Sequence, residues 1–267
     1  MRLTINGAAL AVRTEGAGDL ALVFLHYFGG SSRAWSGVVG RLVAEYRCVA
    51  PDLRGFGDSE APATGYTIRD SADDIAALVH ALALTRYVLV GHSMGGKIAL
   101  AFAARRPPGL RSLVLIAPSP PTPEPMPESE REHLLASYGA RAAAEETARK
   151  ITARALTAPA RAEIVADTLR SSRPAWVSWL ERGSREDITA LMPSVSVPLL
   201  VVASDSDPVL PARLLEREIV RRIIGARIAV LENVGHLMPI EAPEAIAAMI
   251  RESLHENHAA LYTKNTV

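Results

Sequence analysis

The feature that most constrains the fold is the stretch from Tyr87 to Ala104, which predicts a buried strand, a sharp turn and a helix. The turn reads Gly91-His-Ser-Met-Gly95, with Ser93 at its apex. Glycines at these two positions let the strand and the helix approach closely while the serine adopts a strained conformation. The spacing therefore predicts a nucleophile elbow, which holds the Ser93 hydroxyl beside the positive amino end of a helix.

Other apolar runs of strand length occur along the chain, and segments of helical periodicity separate most of them. Strands that alternate with helices predict a mostly parallel sheet with helices on both faces, which is an α/β fold. Residues 2–13 add a predicted β-hairpin with its turn at Asn6-Gly7. The predicted strands are 20–25, 46–51, 87–90, 113–116, 197–203 and 226–231, and the predicted helices are 34–43, 70–84, 97–104, 210–224 and 243–254.

The pattern changes at Pro118, because proline occupies six of the ten positions from 118 to 127. Neither a strand nor a helix runs through such a segment, so it predicts a stiff linker. Residues 128–183 then lack the strand pattern and predict an inserted helical lid, with helices near 128–138, 140–156, 159–171 and 174–182. We therefore divide the chain into a core of residues 1–118 and 184–258, a lid of residues 119–183 and a tail of residues 259–267.

Two boundaries of these elements are predicted from local signals. Ser184 has an acidic residue, Asp187, three positions later, which predicts a capping box at the start of the short helix that returns the chain to the core. The segment from His255 to Val267 shows no clear periodicity, so we expect the final helix to end at Leu254.

Charge and composition exclude several classes of function. Lys plus Arg and Asp plus Glu both total 29, so the formal net charge is zero and no basic face for nucleic acid is expected. No apolar run approaches the roughly 20 residues of a membrane span. The single cysteine, Cys48, and a first segment that alternates like a strand favour a cytoplasmic protein. No group of residues has metal-ligand spacing, so we expect neither a metal nor another cofactor.

A serine nucleophile needs a base to accept its proton, and the chain contains seven histidines. His236 lies in a Gly-containing loop directly after the last predicted strand, at the sheet edge where Ser93 is expected. His92 adjoins Ser93, but neighbouring side chains on an elbow point apart, so we expect a structural role in the turn. His26 ends a strand and is expected to anchor the glycine loop that follows it. His236 is therefore the predicted general base.

The base in turn needs an acid that orients it, and this acid should follow a strand at the same edge. Asp205 and Asp207 both follow the strand at 197–203. We prefer Asp207, because Pro208 fixes the turn after it, and Asp205 remains the alternative. The loop after the strand at 113–116 is a weaker choice, since its first carboxylate is the more distant Glu124.

The elbow, the chain order Ser93–Asp207–His236 and the sheet pattern together resemble the α/β-hydrolase family. The resemblance covers residues from about 20 to 254. The local matches are the His26-Tyr-Phe-Gly-Gly loop, Asp52-x-Arg-Gly-x-Gly-x-Ser59, Gly91-His-Ser-Met-Gly-Gly96, Asp207-Pro208 and Gly235-His236.

The resemblance implies an α/β-hydrolase fold in which Ser93 attacks an acyl carbon and water then hydrolyses the acyl-enzyme. It implies an oxyanion hole formed by the backbone N–H groups of Met94 and Phe28. Epoxide hydrolases and haloalkane dehalogenases of this fold carry aspartate at the position of Ser93, whereas a serine there implies acyl chemistry.

The chain departs from the family at Tyr27, where the family usually has glycine. A tyrosine constrains this loop, and its ring either packs inward or walls the acyl pocket. Trp176 and Trp179 of the lid are three residues apart, which places both on one helix face. We predict that Tyr27, Trp176, Trp179 and Leu237 line the substrate pocket, and packing within the core of the lid remains the alternative for the two tryptophans.

The combined hypothesis is a cofactor-independent serine hydrolase that acts on a small-molecule carboxylic ester, with lactones and thioesters as related substrates. Two alternatives use the same three residues: a hydrolase of carbon–carbon bonds in diketone acids, and a cofactor-free perhydrolase. A fourth possibility, from another class, is a ligand-binding receptor without turnover. We expect no nucleic-acid or membrane partner, and the sequence leaves monomer and homodimer open.

Overall fold

The computed structural model describes the backbone of residues 1–263 and the side chains of residues 1–256. Its strands are β1 Arg2–Ile5, β2 Ala8–Glu15, β3 Ala21–Leu25, β4 Arg47–Pro51, β5 Tyr87–His92, β6 Leu110–Ile116, β7 Leu199–Ser204 and β8 Arg227–Leu231. They form one sheet in the order β1-β2-β4-β3-β5-β6-β7-β8. Only β2 runs antiparallel to its neighbours, and the remaining pairs are parallel. The expected α/β fold is therefore confirmed.

Helices connect most of the parallel strands, as the alternating pattern predicted. Within the described residues they are α1 Ser36–Leu42, α2 Ile68–Ala81, α3 Met94–Ala103, α4 Glu128–Ala136, α5 Arg141–Ile151, α6 Ala158–Arg170, α7 Arg173–Glu181, α8 Ala212–Leu215, α9 Met238–Glu241 and α10 Pro243–Thr263. A 3-10 turn at Ser32–Trp35 precedes α1, and a π-helical turn at Glu216–Val220 continues α8.

The sheet has a separate apolar cluster on each face, and β3 shows why. Its side chains point alternately to opposite faces, and all of them are buried. Leu22 and Phe24 pack into the cluster that includes residues of α1 and α10. Val23 and Leu25 pack into the cluster that includes residues of α2 and α3. With both faces covered, the carboxyl ends of the parallel strands provide the edge where loops are free to vary.

The segment between β6 and β7 contains α4 to α7, and we call residues 119–183 the helical insertion. The chain entering it pairs with the chain leaving it: Glu124 N–H donates to the Ser184 carbonyl at 2.8 Å, and Ile188 N–H donates to the Pro121 carbonyl at 2.8 Å. Lys97 of α3 donates to the Thr122 carbonyl at 3.2 Å and to the Glu186 carbonyl at 2.5 Å. These contacts form the neck of the insertion.

The capping box predicted at Ser184 is wrong. Ser184 lies inside a 3-10 turn, Gly183–Arg185, and its hydroxyl accepts a hydrogen bond from Arg131 at 2.7 Å. Asp187 accepts from the backbone N–H of Thr189, within the 3-10 helix that follows. The Ser184 hydroxyl therefore binds Arg131 instead of capping a helix. Arg131 is far from Ser184 in the sequence, so local spacing does not reveal this interaction.

The end of the chain also differs from expectation. α10 continues to Thr263, past the predicted end at Leu254, and so includes part of the segment assigned to the tail. Residues 264–267 of that tail lie outside the described residues. Among the helices that the structure describes, none combines the length and hydrophobicity that crossing a membrane requires.

Candidate active site

Ser93 lies at the sharp turn between β5 and α3. Its backbone has φ 52° and ψ −117°, a positive φ that residues with side chains rarely adopt. Its N–H donates to the Ile116 carbonyl at 3.1 Å, which ties the turn to the neighbouring strand. A Cβ atom at Gly95 would lie 2.4 Å from the Leu25 carbonyl oxygen, so only glycine permits this approach. The close packing holds the strained serine in place.

Three side chains at the carboxyl edge of the sheet form a hydrogen-bonded array. The Ser93 Oγ lies 3.0 Å from His236 Nε2, and His236 Nδ1 lies 2.9 Å from Asp207 Oδ2. Serine donating to Nε2 requires the other ring nitrogen to carry the proton and donate to the carboxylate. All three residues are buried. The structure thus brings together the serine, the base and the preferred acid named from the sequence.

The two aspartates after β7 have different surroundings. The second oxygen of Asp207 accepts the backbone N–H groups of Val209 at 2.8 Å and Leu210 at 3.1 Å. Burial raises the pKa of Asp207, but His236 and these N–H groups outweigh that effect and leave the pKa below its ordinary value. Asp205 is exposed and instead accepts the N–H of Asn233 at 2.9 Å. Asp205, the alternative acid, does not contact His236.

His92 fills the structural role that the sequence suggested and has a definite partner. Its Nε2 donates to the main-chain carbonyl of His236 at 2.8 Å. Burial lowers the pKa of His92 to about 3, so the ring is neutral and its Nδ1 is an acceptor without a partner among the described residues. The His92 ring therefore stands beside His236 as a neutral group.

The loop after β3 carries Phe28, one of the two residues whose N–H groups were predicted to form an oxyanion hole. His26 fixes this loop, because its Nδ1 donates to the Tyr27 carbonyl at 2.8 Å and its Nε2 accepts the Leu53 N–H at 3.0 Å. Within the described part of the chain, the N–H groups of Phe28 and Met94 donate to no protein acceptor. Met94 directly follows Ser93 as the first residue of α3, and Phe28 lines the same cavity as Ser93.

A cavity of about 610 Å³ opens at Ser93 and His236, between the sheet edge and the helical insertion. Phe28 forms an aromatic wall with Trp176, with ring centroids 4.4 Å apart, and with Trp179 at 6.1 Å. The remaining lining residues come largely from α4, α5 and α6 of the insertion. The insertion therefore supplies most of the surface that a bound molecule would contact.

Of the predicted pocket residues, Tyr27, Trp176 and Trp179 line this cavity. Both alternatives given for Tyr27 apply: its ring packs against His92, with centroids 5.3 Å apart, and its edge borders the cavity. Leu237 was predicted to line the pocket, but it is fully buried and packs into a small cluster behind the wall. The Leu237 side chain points into the protein interior from the loop that carries His236, and the sequence did not reveal this direction.

The charged groups of the cavity wall are mainly acidic. Glu124 lies near the site, where burial raises the pKa of its carboxyl group. Glu130 is exposed, and Glu146 pairs with Lys150 at 2.7 Å. Among the described residues, no arginine contributes to the wall. The part of the chain that the structure describes therefore brings no unpaired cation of fixed charge to the cavity to hold a carboxylate.

The chain matches known proteins over most of its length. The model of the family described as "Alpha/beta hydrolase family" matches residues 22–249. A curated relative, the 2-(acetamidomethylene)succinate hydrolase of Mesorhizobium japonicum, is 40% identical over 115 residues, which are 43% of this chain and 41% of that protein. The chain spans 33% of the length of three curated mycobacterial relatives.

Two solved esterase structures are similar over nearly the whole chain. The esterase from Exiguobacterium antarcticum has a TM-score of 0.88 at 24% identity, covering 94% of this chain and 97% of that one, and this likeness establishes the fold alone. A thermophilic esterase from Thermogutta terrifontis has a TM-score of 0.84 at 29% identity, covering 97% of this chain and 98% of that one.

Proposed function

We propose that this chain, which belongs to the alpha/beta hydrolase family, is a serine hydrolase that cleaves small carboxylic esters through an acyl-enzyme on Ser93. The observation that carries the proposal is the hydrogen-bonded array of Ser93, His236 and Asp207 at the inner end of the cavity. A buried serine bonded to an oriented imidazole is the arrangement that activates a hydroxyl for attack on an acyl carbon.

In the first half-reaction, Ser93 Oγ attacks the ester carbonyl carbon while His236 Nε2 accepts the hydroxyl proton. Asp207 holds the imidazole in the required tautomer and stabilises its charged form. The carbonyl oxygen of the ester becomes negative and is stabilised by the N–H groups of Phe28 and Met94. His236 then gives its proton to the departing alcohol oxygen, which leaves an ester bond between the acyl group and Ser93.

In the second half-reaction, water replaces the alcohol. His236 removes a proton from the water, and the resulting hydroxide attacks the acyl carbon bound to Ser93. The same two N–H groups stabilise the second oxyanion. Collapse of this intermediate breaks the bond to Ser93 Oγ, which recovers its proton from His236, and the carboxylic acid leaves.

The lining of the cavity favours an uncharged ester of modest size. A volume of about 610 Å³ suits a small organic molecule, and the aromatic wall of Phe28, Trp176 and Trp179 suits an apolar group. In this proposal the helical insertion acts as a lid that excludes water from the reacting centre. The similarity to the Thermogutta terrifontis esterase supports the same class of substrate.

The charge of the wall separates this function from its nearest alternative. Carbon–carbon bond hydrolases of diketone acids need positive groups that hold a substrate carboxylate. Within the described residues the wall has one lysine, Lys150, which is paired with Glu146, and the Glu124 carboxyl group is near enough to His236 to interact with its charge. An acidic wall disfavours a carboxylate-bearing substrate, so we prefer the neutral ester.

The test is turnover by purified protein. We expect release of p-nitrophenol from its acetate and butyrate esters, loss of that activity in Ser93→Ala, and labelling of Ser93 by a fluorophosphonate. A protein that binds these esters without hydrolysing them would instead support the receptor hypothesis. Fluorophosphonate labelling at another residue would contradict the assigned nucleophile.

A further inference from the structure

Glu241, at the end of α9, has the most concentrated set of hydrogen bonds near the site. Its carboxylate is buried and accepts four backbone N–H groups. Two of them belong to the insertion, Ala153 at 2.8 Å and Arg154 at 2.9 Å. The other two flank the base, Gly235 at 3.0 Å and Leu237 at 3.1 Å. One side chain thus joins two segments that are far apart in the sequence.

The insertion also contacts the backbone of the loop directly, at His236 and at the residue before it. The His236 N–H donates to the Ile151 carbonyl, at the end of α5, at 2.7 Å. A Cβ atom at Gly235 would lie 2.5 Å from the nitrogen of Ala153, so the two backbones are packed directly together. The position of the imidazole is consequently set by residues 151–154 of the insertion as well as by Asp207.

We propose that Glu241 is a positioning residue that joins the helical insertion to the general base. The base stays aligned with Ser93 only while the end of α5 remains seated on Glu241. Movements of the insertion that admit substrate must then occur away from residues 151–154, which act as a fixed point. The inference rests on the proposed role of His236 as general base.

Glu241 can hold the insertion and the His236 loop together because four N–H donors share its one carboxylate. The N–H groups of Gly235 and Leu237 lie in a buried loop, where each needs an acceptor inside the protein, whereas Ala153 and Arg154 are exposed residues. The oxygen Oε2 serves Ala153, Arg154 and Gly235 together, so removing it releases the insertion and the base loop at the same time. A displacement of about 1 Å at a catalytic group reduces turnover by up to about 100-fold.

The experiment compares Glu241→Ala with the milder Glu241→Gln. Hydrogen exchange, followed by mass spectrometry, reports the protection of residues 151–155 and 234–238 separately. In Glu241→Ala we expect both segments to lose protection together and kcat to fall by about 10- to 100-fold, with KM changed by less than about threefold. Glu241→Gln keeps one acceptor oxygen, so its loss of kcat should be smaller.

The matched control is Glu244→Gln, which makes the same chemical change three positions along, on an exposed residue that pairs with Arg41. We expect wild-type turnover and protection in this variant. If Glu241→Ala does not fold, Glu241→Gln decides the question through its kcat relative to Glu244→Gln.

Two results would overturn the inference: residues 151–155 keep their protection when 234–238 lose it, or both segments loosen while kcat and KM match the control. The proposed function can fail separately. If the wild type neither hydrolyses esters nor reacts with a fluorophosphonate, Ser93 is not a nucleophile, and the exchange data alone decide whether Glu241 joins the two segments.

Discussion

At the scale of single residues, Asp205 and Asp207 are separated by one position but have different partners. Asp205 faces solvent and fastens the backbone at Asn233, whereas Asp207 turns inward to His236. Pro208 follows Asp207 and limits the backbone at this turn. The direction of a side chain, more than its distance along the chain, decides which carboxylate can orient the base.

This difference gives the first prediction. Asp207→Asn should lower kcat by about 10⁴-fold, because an amide at this position no longer holds the tautomer in which His236 accepts the proton of Ser93. Steady-state kinetics with p-nitrophenyl butyrate would measure the loss. Asp205→Asn serves as the control and should stay within a few-fold of wild type. A large loss in the control with none in Asp207→Asn would contradict the assigned acid.

Sequence reasoning reached Ser93, Asp207 and His236 because parallel strands end at a common edge and each residue directly follows such a strand. It missed Glu241, because two of the four donors to this carboxylate lie in the insertion, nearly 90 positions away in the sequence. It also placed Leu237 in the wall of the cavity, because the spacing that located His236 says nothing about the direction of the next side chain.

At the scale of elements, α6 anchors the loop that carries Phe28. Asp167 of α6 is buried and accepts a hydrogen bond from the Ser31 hydroxyl at 2.7 Å. It also pairs with Arg33 and, at 2.7 Å, with Arg170. Ser31 ends the loop after β3 and Arg33 lies in the 3-10 turn that follows it, so this cluster connects the insertion to the loop that carries one of the proposed oxyanion donors.

The second prediction concerns this cluster. Asp167→Asn should lower the free energy of unfolding by about 2–3 kcal/mol, since hydrogen bonds to a charged group are lost and buried donors are left weakly paired. Urea denaturation would measure the change. Glu163→Gln, one turn earlier on α6, makes the same kind of change without a hydrogen bond to lose and should have little effect. Equal destabilisation of the two variants would refute the role of Asp167.

Strands and helices of the core were predictable because their burial repeats with a fixed period. Val23 and Leu25 point one way and Leu22 and Phe24 the other, which is the continuous apolar run expected of a strand covered on both faces. Local periodicity and motifs failed at Ser184, because the residue that determines its role is Arg131 of α4, which is distant in the sequence. Local signals predict an element well when its neighbours in sequence determine its surroundings.

At the scale of the whole molecule, stability depends on a cation enclosed where the core meets the insertion. Lys97 is fully buried and donates to two main-chain carbonyls, one on each side of the neck. Burial lowers its pKa to about 8, and the nearby carboxylates Glu124, Glu186 and Asp187 only partly oppose that effect.

The third prediction follows from this pKa. Between pH 8 and the ordinary pKa of 10.5, an unfolded chain binds a proton at Lys97 that the folded protein does not bind. The free energy of unfolding of wild type, relative to Lys97→Met, should therefore rise with pH by roughly 3 kcal/mol over this interval. Urea denaturation of both proteins at several pH values would measure it.

Lys150→Met is the control for this experiment, because Lys150 is exposed and the same substitution there removes no buried cation. Its stability difference from wild type should show no comparable rise with pH. A constant difference between wild type and Lys97→Met across the same interval would mean that the ammonium is not desolvated in the folded protein.

The neck of the insertion has a consequence for how such proteins diversify. Because Glu124 meets Ser184 and Pro121 meets Ile188, the insertion leaves the core and returns to it at nearly one point. Its length and sequence can therefore change without altering the register between β6 and β7, and longer closed segments add little entropic cost. Evolution can therefore exchange this segment, and with it most of the cavity wall, as long as the replacement keeps the contacts of residues 151–154 with the His236 loop and of Asp167 with Ser31.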